Sequence, residues 1–221
     1  LRVDSSVYRL HAQQEILRRG VSPEATTILT VLASDRLAHP ASRVAAIFTL
    51  KQLNGEKSTP TLVELTKDES IREFALKALT DIPSENGNLP VAVFVDALKD
   101  SNPRVQAQAL ISLARIKVSN KETVARQVLP LTSRTKGELP PANRDQHKQA
   151  DPGRVIPHLA VRTLVALDAG DVCVEALDGG ERGLITAALT LIAPNGQQLP
   201  PLPRPFEIIM NMPPSLFRMD F

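Results

Sequence analysis

An all-α fold of repeated helix pairs is predicted by three observations in this 221-residue sequence. A phrase recurs with variation: DSNPRVQAQALISLARI from Asp100, DESIREFALKAL from Asp68, HPASRVAAIFTL from His39 and SSVYRLHAQQEIL from Ser5. Within it, apolar residues fall at helical spacing, as at Val105, Ala109, Leu113 and Ile116, so each copy carries an apolar stripe. Aligned on Tyr8, Ser42, Ile71 and Val105, the copies stand 34, 29 and 34 residues apart, room for two helices and two turns. This is the arithmetic of an α-solenoid, where each unit stacks only on its neighbours.

Later copies align on Leu159 and Gly183. Four residues after each anchor come Ala12, Ala46, Ala75, Ala109, Thr163 and Ala187; eight after come Ile16, Leu50, Leu79, Leu113, Leu167 and Leu191. The small residue lets a neighbouring helix approach, and the large aliphatic fills the next layer.

The elements follow in order. The first pair is predicted over 5–19, stopped by Gly20, and 22–34, where Ser22-Pro23-Glu24 supplies a cap, a first-turn proline and an acid suited to the helix dipole. The second covers 40–53, stopped at Asn54-Gly55, and 59–66. The third covers 69–80 and, after the polar turn at 84–88, 90–99. The fourth covers 103–116, with Asp100 or Ser101 as cap and Pro103 in the first turn, and 121–131. Residues 133–152 break the pattern with three prolines and almost no apolar side chain, which reads as a solvated insertion and explains the 54-residue gap between the fourth and fifth anchors. Helical pattern resumes over 155–167, 172–177 and 182–192. The stack is thus assigned to residues 1–193, and 194–221, with seven prolines before Ser215, to an extended tail or linker.

Composition narrows the function. Net charge is +2, from 26 basic and 24 acidic residues, without the basic imbalance of a nucleic-acid binder. Aromatic residues are 3% of the chain, so aliphatic and small side chains must fill the core. The single Cys173 excludes an internal disulfide or a cysteine metal cluster within one chain. No apolar run reaches the ~18 residues of a membrane span. The chain begins at Leu1 without a visible signal peptide, as expected of a processed protein or of a segment of a larger one.

The repeated helix resembles the first helix of HEAT repeats. The features that carry this are the proline or polar cap, the Ala and Leu positions above, and an early arginine: Arg9, Arg43, Arg72 and Arg104, the last two positions early. Asp35, Asp68 and Asp100 stand before three of these, so a stack would bring Asp and Arg from successive units together as a ladder. If exposed, each pair contributes only ~0–1 kcal/mol. The resemblance implies a right-handed α-α superhelix of about five helix pairs whose second helices line a concave face. On those helices Glu64, Lys67, Asp96, Lys99, Glu122 and Arg126 are the candidate partner-binding residues.

A narrower resemblance covers about the first 55 residues. SSVYRLHAQQEILRRG followed by HPASRVAAIFTLKQLNG looks like the HEAT segment of large secreted proteins of planctomycete-type bacteria. There a sugar-dehydrogenase-like β-propeller precedes the repeats and a c-type cytochrome with a CxxCH motif often follows. That would make the chain a periplasmic or secreted accessory segment of a haem-containing oxidoreductase. Cys173, in DVCVEA, lacks the second Cys and the His that haem attachment needs.

No chemistry emerges from the remaining motifs. His11, His39, His147 and His158 form no i, i+4 metal pair. There is no Gly-x-Ser-x-Gly elbow, and Gly179-Gly180 is a turn signal without a nucleotide fingerprint. HEAT-like DNA glycosylases need basic and aromatic grips, and HEAT-like bilin lyases an aromatic pocket; neither is visible. The expectation is therefore a non-enzymatic scaffold without cofactor or metal, binding a protein of unknown identity, with no nucleic acid and no membrane insertion.

Overall fold

The computed structural model describes residues 1–133 and 152–177. Among these the chain is all-α: ten α-helices, three 3-10 turns and no strand. The helices are α1 (Ser6–Arg19), α2 (Pro23–Ser34), α3 (Pro40–Asn54), α4 (Thr59–Leu65) and α5 (Arg72–Leu79), then α6 (Val91–Ala97), α7 (Pro103–Leu113), α8 (Lys121–Val128), α9 (Pro152–Ala166) and α10 (Gly170–Leu177). Residues 134–151 of the insertion assigned to 133–152, the helix expected over 182–192 and the tail 194–221 lie outside the described residues, as does His147.

Local chemistry sets the boundaries. Ser22 Oγ accepts from the Ala25 N–H at 3.0 Å, His39 Nδ1 from the Ala41 N–H at 3.2 Å and Asn120 Oδ1 from the Thr123 N–H at 3.1 Å, each satisfying a first-turn donor. The cap of α7 is Asn102, accepting from the Arg104 N–H at 3.0 Å, not Asp100 or Ser101; Asp100 sits one step back and accepts from the Asn102 N–H at 2.8 Å. The helix expected from 69 begins at Arg72, because Asp68 Oδ1 takes the Ser70 N–H at 3.1 Å and holds that stretch as a turn. The turn expected at 84–88 is a 3-10 helix, Pro83–Asn88. Helix α9 starts at Pro152, ahead of the expected 155, and runs through Pro157.

Packing follows a neighbour-to-neighbour order. Up to α8, each even-numbered helix packs on the odd one that follows it: α2 on α3, α4 on α5, α6 on α7, and α8 with the 3-10 turn Leu129–Thr132 on α9, while α10 touches α8. The odd helices also touch in series, α1 to α3, α3 to α5, α5 to α7 and α7 to α9. The pairing expected from the sequence is therefore shifted by one helix: α2 belongs with α3 more than with α1. The apolar content explains the shift, since α2 buries Leu29, Leu32 and Ala33 while α1 has no buried residue.

The repeated stripe forms the core. Ala46, Ala75 and Ala109 have no exposed surface, and Leu50, Leu79 and Leu113 are equally enclosed. In the fifth copy Thr163 is buried, its hydroxyl 2.8 Å from Leu159 O in its own helix and 3.0 Å from Leu110 O in α7. Burial of this hydroxyl is tolerated because it is bonded.

Arginines tie the units together. Arg43, with 3% of its side chain exposed, donates to Ala33 O, Ser70 Oγ and Asp68 Oδ2. Arg72 repeats the arrangement with Thr66 O and Asp100. Each arginine thus holds the end of the preceding helix and the acid of the following turn. The ladder is partly buried rather than exposed, and its outer members differ: Arg104 pairs with Glu73, Asp35 with Arg2, and Arg9 donates to Val3 O and Asp4 O. A second tie is Lys51, fully buried in α3, whose Nζ donates to Glu85 Oε2 at 2.6 Å.

Candidate functional site

Two surfaces stand out. The first is the charged row on the even helices. Relative to Asp68 and Asp100, Glu64 and Asp96 hold one register in α4 and α6, and Lys67 and Lys99 another just beyond each helix. Glu122 and Arg126 lie on α8. All six are exposed. Lys67 donates to Glu64 at 2.6 Å, and Arg126 lies 3.0 Å from Glu122 and 2.7 Å from Glu175 of α10. Bonding to Glu175, then to Glu122, raises the Arg126 pKa above its usual value. Asp96 and Lys99 form no ion pair among the described residues. With three acids and three bases, the row has no net sign and projects no steering field. In α2 the same register is held by Val31, 59% exposed.

The second surface went unnoticed in the sequence: a groove along the seam of α1 and α3, about 710 Å³ in volume. Its floor is Leu10 from α1, Val44, Ala45 and Phe48 from α3, and Phe74 from α5. From Ala41 through Val44, Ala45 and Phe48 to Gln52, the α3 contribution follows i, i+3, i+4, i+7 and i+11, a complete helical stripe. Helix α3 is thus apolar on two sides. Ala46, Ile47 and Leu50 face the core, while Val44, Ala45 and Phe48 border the groove. The signal was available in the sequence, at two, three and six residues past Ser42, but it reads there as scattered surface apolar residues.

Gln13, Gln52, Arg9 and His39 on the rim already have hydrogen-bond partners. Gln13 Nε2 donates to Gln52 Oε1 at 3.3 Å, Arg9 is held by Val3 O and Asp4 O, and His39 Nδ1 caps α3. Lys77 Nζ stands 5.9 Å from the Phe48 ring centroid, within cation–π range. The groove therefore offers contact area and shape, with no side chain poised for proton transfer or nucleophilic attack.

Elsewhere, a polar hollow of about 520 Å³ borders Ser70, Arg72, Asp100, Ser101 and Asn102, but the Asp100 carboxylate is taken up by Arg72 and the Asn102 N–H. Among the described residues no group of three or more His, Cys, Asp or Glu could hold a metal ion. Cys173 is buried, and burial raises its pKa to about 11, so it is a protonated, unreactive thiol at neutral pH. His11 and His158 are exposed. No described helix is long and apolar enough to cross a membrane. No protein-family model and no curated protein matches this sequence.

Proposed function

We propose that the chain is a HEAT-like protein-binding module that acts as a scaffold without catalysis and grips a protein partner in the α1–α3 groove. The observation that carries this reading is an open groove whose floor is apolar and most of whose polar lining side chains are already hydrogen-bonded. Such a site gains by desolvating apolar surface and loses little by covering polar groups. The charged row of Glu64, Lys67, Asp96, Lys99, Glu122 and Arg126 supplies a second contact face, where alternating signs favour register over affinity.

Site-specific photo-crosslinking in the native cell tests this. A crosslinker replacing Leu10 is expected to trap one discrete protein, and adding Val44→Glu is expected to abolish the adduct. Adducts from a crosslinker at Asp96 but none at Leu10 would move the site to the charged row. Adducts at neither position would overturn the binding role.

A further inference from the structure

The groove has a length, a shape and a sign that together narrow its occupant. It follows α3 from His39 to Gln52, which at ~1.5 Å per residue is roughly 20 Å of seam. Its α1 wall, Ser6, Leu10 and Gln13, also recurs at helical spacing. A seam between two helices with helical stripes on both walls is shaped to receive a third helix, whose apolar ridge fills the valley between them.

The sign comes from the charges around it. Helix α3 contains no aspartate or glutamate, while Arg9 lines the groove and Lys77, 5.9 Å from the Phe48 ring centroid, stands beside it. The acid at the far end, Glu73, accepts from Nε and Nη2 of Arg104, at 2.8 and 3.0 Å. Lys77 is exposed and forms no ion pair with any described carboxylate. An apolar valley with a basic rim complements an apolar ridge with acidic flanks.

We propose that the groove binds an acidic amphipathic α-helix of a partner protein. Its aliphatic ridge lies on Leu10, Val44, Phe48 and Phe74, and a carboxylate meets Lys77. This rests on the binding role assigned to the groove and adds the chemical class of the partner. A lipid surface fits less well, because Val44, Ala45 and Phe48 are partly buried on the groove floor, where a planar bilayer cannot follow.

Four probes test it against the full chain by fluorescence anisotropy. The first is a synthetic helix of about 14 residues with leucine at i, i+3, i+4 and i+7 and glutamate on both flanks. The second has lysine for glutamate, the third is a proline-locked extended peptide of the same composition as the first, and the fourth is vesicles of anionic phospholipid.

Saturable binding of the acidic helix is expected, about tenfold tighter than the lysine version and weakened by added salt. Leu10→Glu, at a side chain already half exposed, is expected to weaken it about tenfold with an unchanged melting temperature. Lys77→Glu is expected to erase the preference for the acidic helix. Equal binding of the lysine or the extended peptide, abolished by Leu10→Glu, would overturn the acidic-helix assignment and leave the groove a binding site. Binding only to vesicles would overturn it in favour of a membrane surface. No binding of any probe would overturn both readings.

Discussion

The guanidinium of Arg43 meets the carboxylate of Asp68 at 2.8 Å, across 25 residues of chain and from one helical unit to the next. The same side chain closes the end of α2 through Ala33 O at 2.9 Å. Arg36 also reaches Asp68, at 3.2 Å, but its side chain is 77% exposed. Arg43→Met leaves a buried carbonyl and a half-enclosed carboxylate short of donors and is expected to cost about 2–4 kcal/mol. Arg36→Met is expected to cost less than about 0.5 kcal/mol. Urea unfolding of the two variants measures the difference, and equal midpoints would show that the buried contact is not what holds the units.

Acid should weaken the same joint. Partial burial alone would raise the Asp68 pKa, but bonds from Arg43 and from the Ser70 hydroxyl and N–H outweigh it and hold the group at about 2. An unfolded aspartate titrates near ~4. The folded value is the lower one, so the ionised group stabilises the fold above pH ~4, and this is lost as pH falls towards ~2. Solvent screening reduces the contribution to about 1 kcal/mol. Glu15, held at about 2 by Arg18 and Arg19, titrates in the same window, so the informative quantity is wild type minus Asp68→Asn. That difference should shrink between pH 5 and pH 2; a constant difference would mean that Asp68 is not depressed.

Gly55 is predicted to resist substitution more than Gly20. Both have positive φ, +55° and +84°, so alanine strains the backbone at each. At Gly20 an added Cβ meets nothing within 4 Å, whereas at Gly55 it would stand 2.8 Å from Glu85 Oε1, the carboxylate that pairs with buried Lys51. Gly20→Ala should cost about 1 kcal/mol and Gly55→Ala about 2–4 kcal/mol, because displacing Glu85 leaves a buried ammonium without its counter-ion. Thermal melts of the two variants decide it; similar shifts would mean that Glu85 moves aside freely.

Core and groove should separate cleanly under truncation. Leu79 has no exposed surface, and Leu79→Ala is expected to cost ~2–5 kcal/mol. Leu10, 53% exposed, is expected to change stability by less than about 0.5 kcal/mol as Leu10→Ala. A large cost at Leu10 in denaturant titration would assign the groove residues to folding rather than to binding.

The helices were legible because their apolar stripes and caps are local: Ser22, Pro23, Pro40 and Pro103 mark starts that the chain uses almost to the residue. What was hidden is relational. Nothing in the spacing of Arg43 shows whether it meets Asp35 behind or Asp68 ahead, since that depends on how one unit is turned against the next. Helix α2 follows α1 by a short link, so the sequence pairs them, yet the apolar content of α2 commits it to α3. The groove escaped notice because Val44, Ala45 and Phe48 look like ordinary partly exposed positions until α1 is placed beside them. The charged row was visible as residue type, and its internal pairs, Lys67 with Glu64 and Arg126 with Glu122, lie at helical spacing, but the bond from Arg126 out to Glu175 depends on how α10 sits against α8.

Cys173 gives the last described helix a built-in clock. The thiol is fully enclosed in α10 and held protonated by its surroundings. A thiol reagent in solution can reach it only during moments when the packing around α10 opens. With reagent in large excess the labelling rate approaches the opening rate, and at low reagent it is the open fraction multiplied by the rate at an accessible thiol, one modification per molecule. The lifetime of that packing can thus be timed chemically in the unaltered protein, without an added probe.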